Sequence, residues 1–205
     1  MKKFLWLVFS VLFLGLATAN AASNDPVDML RSVANQLIDS LKAHKTNLKS
    51  NPSLVYSLAN KIVVPHADLT VMSQRVLPPR IWQQATPSQR SQFQSEFTTL
   101  LVRTYASALA EFNDQTVQFY PIRGGSAGKT NVKVNSQIIR SDGPSISVSY
   151  KLLLEGSEWK LYDMSVEGVS LLESFRSQFA DKLSQGNIEV LIKDLQRHNS
   201  ENSGR

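Results

Sequence analysis

The chain has 205 residues, with 22 Lys and Arg against 17 Asp and Glu, which gives a net charge of +5 at pH 7. This mild basic excess is not a polybasic tract and gives little support to nucleic-acid binding. The sequence has no Cys. Disulfides are therefore excluded, and an apolar core has to stabilise the fold.

The first element of the chain is typical of a cleaved signal peptide. Lys2 and Lys3 precede an almost wholly apolar run from Phe4 to Leu16, and Ala19-Asn20-Ala21 fits the small-x-small cleavage pattern. An uncleaved membrane anchor is the competing interpretation. It is weaker because the apolar run is shorter than the ~20 residues of a spanning helix. We therefore expect export and cleavage after Ala21.

The exported chain is expected to form one domain. It has no repeats, low-complexity runs or obvious linkers, and about 180 residues are enough for a single core. We predict a domain over residues 22–198 and a flexible polar tail at 199–205. Removal of Lys2 and Lys3 leaves 20 basic against 17 acidic residues, a net charge of +3.

Residues 25–113 are predicted to be helical. Four start signals each precede an apolar stripe of helical spacing, and the last of them is a capping box that opens the longest helix, running to about Asn113. Pro78-Pro79 is expected to end the third helix. The start signals are Asp25-Pro26, Asn51-Pro52, Asp68 and Thr86 to Gln89.

From about 115 to 167 the apolar period changes from three or four residues to two. Four short alternating segments, joined by glycine turns, predict an antiparallel meander of about four strands. Ile138-Ile139 breaks the alternation and suggests a bulge. Gly168 then leads into two C-terminal helices at about 169–198, separated by Gly186-Asn187. Helices, strands and helices in this order indicate an α+β fold.

Catalytic and metal-binding patterns are weak. His44, His66 and His198 each stand alone in sequence, so no metal-ligand spacing is present. Ser170 lacks the sequence of a nucleophile elbow and is better explained as a helix cap.

Two carboxylates, Asp163 and Glu167, are possible acid and base groups on one strand. They lie four residues apart, which separates them by roughly 13 Å on a straight strand, too far for a close pair. A structural role, through hydrogen bonds to backbone or to an Arg such as Arg176, is favoured.

The remaining candidates for a binding site are the apolar surface and the arginines. Arg90, Arg103, Arg140 and Arg176 lie among apolar positions, where each either borders a pocket and meets an anion or is solvated. A curved sheet facing several helices forms either a dry core or an apolar cavity. Periodicity alone does not separate the two.

Five sequence blocks carry a resemblance to a known family. They are N-P-S-L-V-Y from Asn51, A-T-P-S-Q-R from Ala85, F-x-x-x-F-x-x-L-L-x-x-x-Y from Phe93, W-K-L-Y-D-M-S-V-E-G-V-S from Trp159, and R-S-Q-F from Arg176. The last two are the specific ones. The mature chain resembles the periplasmic phospholipid-binding proteins of the Mla (maintenance of lipid asymmetry) system, also called the toluene-tolerance family.

The resemblance implies a helical part packed on a twisted antiparallel sheet related to NTF2-like folds, with a deep apolar cavity for the acyl chains of a phospholipid. It implies a monomeric, non-enzymatic carrier without a cofactor that shuttles phospholipid across the Gram-negative periplasm and maintains outer-membrane lipid asymmetry. The implied partners are an outer-membrane lipoprotein–porin complex and an inner-membrane ABC transporter with an MCE-domain subunit, and no nucleic acid.

We infer the pocket residues from facing positions matched to the family's helices and sheet. The candidates are Val71, Met72 and Val76 for one wall, and Leu101, Tyr105, Tyr150, Leu152, Tyr162, Met164, Val169 and Leu172 for the others.

Two other functions stay open at this point. A periplasmic lipoprotein chaperone is also exported and apolar-lined, although the helix-rich first half disfavours it. An enzyme on an NTF2-like scaffold needs an ionisable side chain aimed into the pocket, for which Tyr162 and Asp163 are the candidates.

Overall fold

A computed structural model of the chain describes residues 25–112, 114–184 and 187–201. Residues 1–24, which include the predicted signal peptide, and residues 113, 185–186 and 202–205 lie outside this part. The seven α-helices are α1 Pro26–Ala43, α2 Pro52–Ile62, α3 Leu69–Val76, α4 Pro79–Gln84, α5 Pro87–Ala110, α6 Leu171–Ser184 and α7 Ile188–Glu201. Single 3-10 turns lie at Lys45–Asn47 and Val64–His66.

The helices begin at the predicted caps. The side chain of Asp25 accepts hydrogen bonds from the backbone N–H groups of Val27 and Asp28 at 2.8 and 3.2 Å. Asp68 accepts one from Val71 at 2.8 Å. Such caps satisfy backbone donors that have no partner inside the helix.

The capping box at the start of α5 is also present. Thr86 Oγ1 accepts from the Gln89 backbone N–H at 3.2 Å, and Gln89 Oε1 accepts from the Thr86 N–H at 3.0 Å. The sequence did not predict α4. Pro79 starts a new helix instead of only ending α3, because proline fits the first turn of a helix.

The C-terminal end of the described chain is more ordered than the predicted tail. Helix α7 continues to Glu201, three residues beyond the expected boundary. Asn199 is buried, and its side-chain amide donates to the carbonyl of Glu96 at 3.0 Å. Residues 199–201 therefore belong to the helical packing.

In the described part of the chain, five strands form one antiparallel sheet in the order β1-β2-β3-β4-β5, which confirms the α+β class and corrects the predicted number of strands from four to five. The additional strand is very short, because Glu167 and Gly168 turn at φ +49° and +83° and send the chain back along β4 before α6 begins. The strands are β1 Thr116–Phe119, β2 Asn131–Ile139, β3 Ile146–Glu155, β4 Glu158–Val166 and β5 Val169–Ser170.

The bulge predicted at Ile138-Ile139 is wrong. Both residues pair in regular register with β1. The irregularity lies in β4, where Lys151 of β3 pairs with Asp163 and the next residue, Leu152, pairs with Leu161. Tyr162 is thus the extra residue of a bulge, which leaves Tyr162 and Asp163 on the same face of the sheet.

The sheet separates two apolar clusters. The helical core joins α3, α5, α6 and α7, and its centre is a set of four rings, Phe93, Phe97, Phe175 and Phe179, with centroids 5.5–6.0 Å apart. On the other face, the α1 core packs α1 against β2, β3 and β4. Its buried residues are Val27, Leu30, Val132, Val134, Leu152 and Trp159.

A third, smaller cluster joins α1, α2 and α5. It contains Leu41, Leu48, Val55 and Ala106. None of the described helices is long and apolar enough to cross a membrane.

Candidate functional site

A cleft of about 500 Å³ opens on the helical side of the sheet, between α3–α4 on one side and β4, β5 and α6 on the other. Its walls combine apolar and charged side chains. The lining residues are Val71, Gln74, Arg75, Leu77, Pro79, Trp82, Gln83, Lys151, Tyr162, Asp163, Ser170, Leu172, Glu173 and Arg176.

Asp163 is the buried polar centre of this cleft. Both carboxylate oxygens accept from Ser170 Oγ at 2.9 and 3.0 Å, and Oδ1 also accepts from the backbone N–H of Leu172 at 3.3 Å. Lys151 Nζ lies 2.9 Å from Oδ2. The carboxylate therefore ties β3 and β4 to the start of α6, since Ser170 in turn caps α6 by accepting from the Glu173 N–H at 3.2 Å.

Lys151 is charged in this arrangement. Its hydrogen bond to Asp163 raises the pKa of the ammonium group above the ordinary value of 10.5, against the opposing effect of burial. Its side chain is half-exposed, whereas that of Asp163 is buried. The pair thus places a positive group at the cleft surface and its negative partner beneath it.

The bulge in β4 brings Tyr162 into the cleft next to Asp163. In a regular strand, consecutive side chains point to opposite faces. Here Tyr162 and Asp163 are both buried and both line the cleft. The guanidinium of Arg75 lies 4.3 Å from the centre of the Tyr162 ring, a cation–π contact that joins α3 to the sheet across the cleft.

Helix α4 forms one edge of the cleft through Pro79, Trp82 and Gln83. Arg90 of α5 holds the end of this helix. Its Nε and Nη2 groups donate to the carbonyls of Trp82 and Gln83 at 3.0 and 3.2 Å, and its guanidinium lies 5.1 Å from the centre of a Trp82 ring.

Three of the predicted pocket residues line the cleft, namely Val71, Tyr162 and Leu172. Four others belong to the helical core and not to the cleft surface. Met72 and Val76 are buried in that core, while Leu101 and Tyr105 are half-buried against it, and burial raises the pKa of Tyr105.

The remaining predicted residues do not face the cleft. Leu152 is fully buried in the α1 core on the other face of the sheet, and Tyr150 packs against the same core. Burial raises the pKa of Tyr150, although its hydrogen bond with Ser136 at 3.2 Å lowers it. Met164 pairs with Tyr150 and is half-buried, and it is not among the residues that line the cleft.

Val169 is 64% exposed on the short β5 strand. The sequence placed it on the first turn of a helix facing the pocket. Because the chain forms the β4–β5 turn before the helix begins, its side chain points to solvent instead. The structure therefore does not bring Val169 together with the other candidates.

Some of the arginines line the cleft, and others donate hydrogen bonds to backbone carbonyls away from it. Arg176 lines the cleft, and Arg75, which the sequence did not single out, lines it too. The helical spacing of Val71 and Arg75, four residues apart, would have placed both on one face. Arg103 donates to the carbonyl of Asn199, and Arg140 Nε donates to that of Pro144 at 3.1 Å.

The acid and base candidates have structural partners. Asp163 accepts from three different residues, and Glu167 accepts from the backbone N–H of Ser147 beside its turn. Over residues 25–112, 114–184 and 187–201, no group of three or more His, Cys, Asp or Glu side chains is placed to hold a metal ion.

A second, smaller cavity of about 270 Å³ lies between α2 and α5, with Tyr56 and Arg103 among its lining residues. The guanidinium of Arg103 lies 5.7 Å from the centre of the Tyr56 ring. This cavity shares no lining residue with the larger cleft.

The chain is similar to two named relatives. It is 30% identical over 180 residues to "Toluene tolerance protein ttg2D" of Pseudomonas putida, covering 88% of this chain and 83% of that one. It is 27% identical over 206 residues to "Intermembrane phospholipid transport system binding protein MlaC" of Haemophilus influenzae, covering 98% and 95%.

A solved structure has the same fold. The phospholipid-binding protein from Ralstonia solanacearum, determined in complex with a phospholipid at 1.53 Å, superposes with a TM-score of 0.79 at 32% sequence identity. The match covers 86% of this chain and 98% of that one. The model of the family described as "MlaC protein" matches residues 31–197, which include every described helix and strand except the first five residues of α1 and the last four of α7. The chain therefore belongs to the MlaC protein family.

Proposed function

We propose that this chain is a periplasmic carrier that binds phospholipid at the cleft between α3–α4 and β4–α6. The observation that carries the proposal is the composition of that cleft, where apolar side chains of α3, α4, β4 and α6 lie beside three cations. The family membership, and the phospholipid bound to the Ralstonia relative of the same fold, support it.

The apolar side of the cleft suits acyl chains. Val71, Leu77 and Leu172 contribute aliphatic surface, and Trp82 and Tyr162 contribute rings. Each CH₂ group removed from water is worth about 0.8 kcal/mol, so a lipid does not cross an aqueous compartment unless its chains are shielded. Apolar walls supply this shielding, and the proposed binding step needs neither a nucleotide nor a cofactor.

The charged side suits a phosphodiester. Arg75, Lys151 and Arg176 line the cleft together with two acids, Asp163 and Glu173. Asp163 already forms an ion pair with Lys151 and accepts hydrogen bonds from Ser170 of β5 and from the Leu172 N–H of α6. We infer that the head group lies toward the two arginines, since guanidinium groups bind phosphate oxygens in a bidentate geometry.

The acyl chains are inferred to extend below the cleft into the helical core. A volume of about 500 Å³ is in the range of sites for drug-sized ligands, roughly 300–1,000 Å³. A phospholipid with two long chains is larger than such a ligand. We propose that Met72, Val76, Leu101 and Tyr105, which lie in or against this core, contact the chains when they enter.

In the proposed role the chain acts as one domain over residues 22–198, after removal of residues 1–21. It receives phospholipid from one membrane and delivers it to the other, with an outer-membrane lipoprotein–porin complex and an inner-membrane ABC transporter bearing an MCE-domain subunit as partners. It works as a monomer and catalyses no reaction. In keeping with the last point, Asp163 is used as a structural acceptor.

The test is to produce residues 22–205 in a Gram-negative periplasm, purify them without detergent, and record native mass spectra followed by lipid extraction. We expect the added mass of one phospholipid. Val71→Trp, which fills the cleft from a half-buried position, should abolish it. Ile139→Trp, at an exposed position on β2, is the matched control and should retain it. A wild-type protein that carries no lipid and takes none from labelled vesicles would refute the carrier function.

A further inference from the structure

Helix α4 is the most weakly held wall of the cleft. Among the seven described α-helices it alone has no buried residue, and Ile81 and Trp82 are only half-buried. It is six residues long and has no side-chain cap at its start. Isolated helices of this length are unstable in water, so its position depends on contacts from outside.

Both ends of α4 are attached to buried residues in extended backbone. Leu77 and Ala85 are 1% and 5% exposed, and each has ψ near +140°, at +150° and +136°. A proline follows each of them within two residues, at positions 78 and 87. The residues that flank the helix are therefore held in the core, whereas the residues of the helix itself are at most half-buried.

The contacts from outside are of two kinds: Ile81 and Trp82 pack against the helical core, and Arg90 of α5 supplies hydrogen bonds to the end of the helix. The last carbonyls of a helix have no partner within it. In α4 the Ile81 carbonyl accepts from the Ala85 N–H at 3.1 Å, while the Trp82 and Gln83 carbonyls accept from Arg90. A cation at this end also interacts favourably with the helix dipole. One side chain of α5 thus caps α4 and stacks on the tryptophan that faces the cleft.

The cleft has to open for a phospholipid to enter, because its volume is that of a smaller ligand. We propose that α4 is a movable lip of the cleft and that Arg90 is the positioning residue that holds this lip closed. The role of this motion in lipid entry rests on the proposed carrier function. The motion itself does not require lipid.

The test uses Trp82 as the reporter. The mature chain has two tryptophans, Trp82 and Trp159, so Trp159→Phe leaves the one on α4. In this background Arg90→Gln removes the cap. Arg80→Gln makes the same charge change on α4 itself and is the matched control. Arg90→Lys keeps the positive charge but loses the two guanidinium donors that bind the Trp82 and Gln83 carbonyls. Circular dichroism establishes that each variant is folded.

Acrylamide quenching without lipid measures the exposure of Trp82. Loss of a cap increases the open fraction roughly fivefold, so Arg90→Gln should raise the quenching constant, Arg90→Lys should raise it less, and Arg80→Gln should leave it unchanged. Equal quenching in Arg90→Gln and Arg80→Gln would overturn the proposal, whether or not the protein binds lipid.

Lipid exchange between labelled phosphatidylglycerol vesicles and unlabelled acceptors then tests the link to function. Arg90→Gln should exchange lipid faster than wild type. If Arg90 has only a structural role, Arg90→Gln should lower the denaturation midpoint and leave the rate of lipid exchange unchanged. This result would contradict the proposal. If wild type exchanges no lipid, the carrier function fails, and the quenching result alone decides on the lip.

If Arg90→Gln does not fold, hydrogen exchange of the wild type replaces it. Peptides that cover Pro79–Gln84 should exchange faster than those of α3 and α5, and addition of phosphatidylglycerol vesicles should slow them. Exchange in α4 as slow as in α5 would refute the movable lip.

Discussion

Replacing Asp163 by Asn tests whether the buried carboxylate holds the cleft together. The substitution keeps the shape of the side chain and one acceptor oxygen, but it removes the charge and turns an NH₂ group toward donors. Ser170 Oγ, the Leu172 N–H and Lys151 Nζ all point at this carboxylate, at distances of 2.9–3.3 Å. At least one of these donors loses its partner.

The expected cost follows from these contacts. A hydrogen bond to a charged group contributes about 1.5–3 kcal/mol. The ion pair adds less than a fully buried pair would, because the Lys151 side chain is 43% exposed and is hydrated when its partner is neutral. We therefore expect Asp163→Asn to lower the free energy of unfolding by about 2 kcal/mol, and the melting temperature by roughly 4–8 °C.

Urea denaturation followed by circular dichroism measures this change. The midpoint should fall while the slope m stays the same, since the fold is unchanged. Asp181→Asn, at an exposed position on α6, is the matched control and should shift the midpoint little. If the two variants have equal midpoints, the carboxylate does not stabilise the junction of β4 with α6 and the reasoning is wrong.

Four further predictions concern stability. Phe97→Ala should cost about 3–5 kcal/mol in urea denaturation, because the ring is buried among three other phenylalanines, whereas an exposed substitution such as Val190→Ala should cost far less. Ser73→Ala should leave the free energy of unfolding unchanged or raise it by up to about 1 kcal/mol, since the buried Ser73 hydroxyl has no hydrogen-bond partner among the described residues; a clear loss of stability would contradict this. Gly168→Ala should cost about 1–2 kcal/mol of backbone strain, because φ is +83° while space for the added methyl group is open. The pKa of Lys151 is raised in the folded state, so the stability that wild type has over Lys151→Met should be full below pH 10.5 and fall as the pH rises through the folded-state pKa; a difference that stays constant to pH 12 would refute the pairing.

Local signals predicted most of the helical part. A cap residue acts on backbone groups two or three positions away, so the pattern at Asp25, Asp68 or Thr86 contains both partners of the interaction. The α+β class and the antiparallel order of the strands followed in the same way, from periodicity and short connections. Helix α4 was missed because Pro78-Pro79 serves equally well as a stop signal and as the first turn of a new helix.

The cleft was harder to predict because its residues depend on register. Trp159 to Met164 reads as regular alternation, and the sequence does not indicate that Tyr162 is the extra residue of a bulge. A shift of one residue changes the face of the side chain. Tyr162 was therefore grouped with Tyr150 and Leu152, which lie on the other side of the sheet. Val169 was misplaced for a similar reason, since Gly168 indicates a turn but not a returning strand.

The division of the apolar residues by the sheet has a consequence for a protein that is alternately loaded and empty. Entry of a ligand on the helical side disturbs packing among α3, α4 and α6, while Val27, Leu30 and their partners on the far side lose no contact. Part of the folding free energy is thus independent of occupancy. The α1 core stays packed whether or not a ligand is bound. The helices on the other side of the sheet can therefore rearrange in each delivery cycle without unfolding the whole chain.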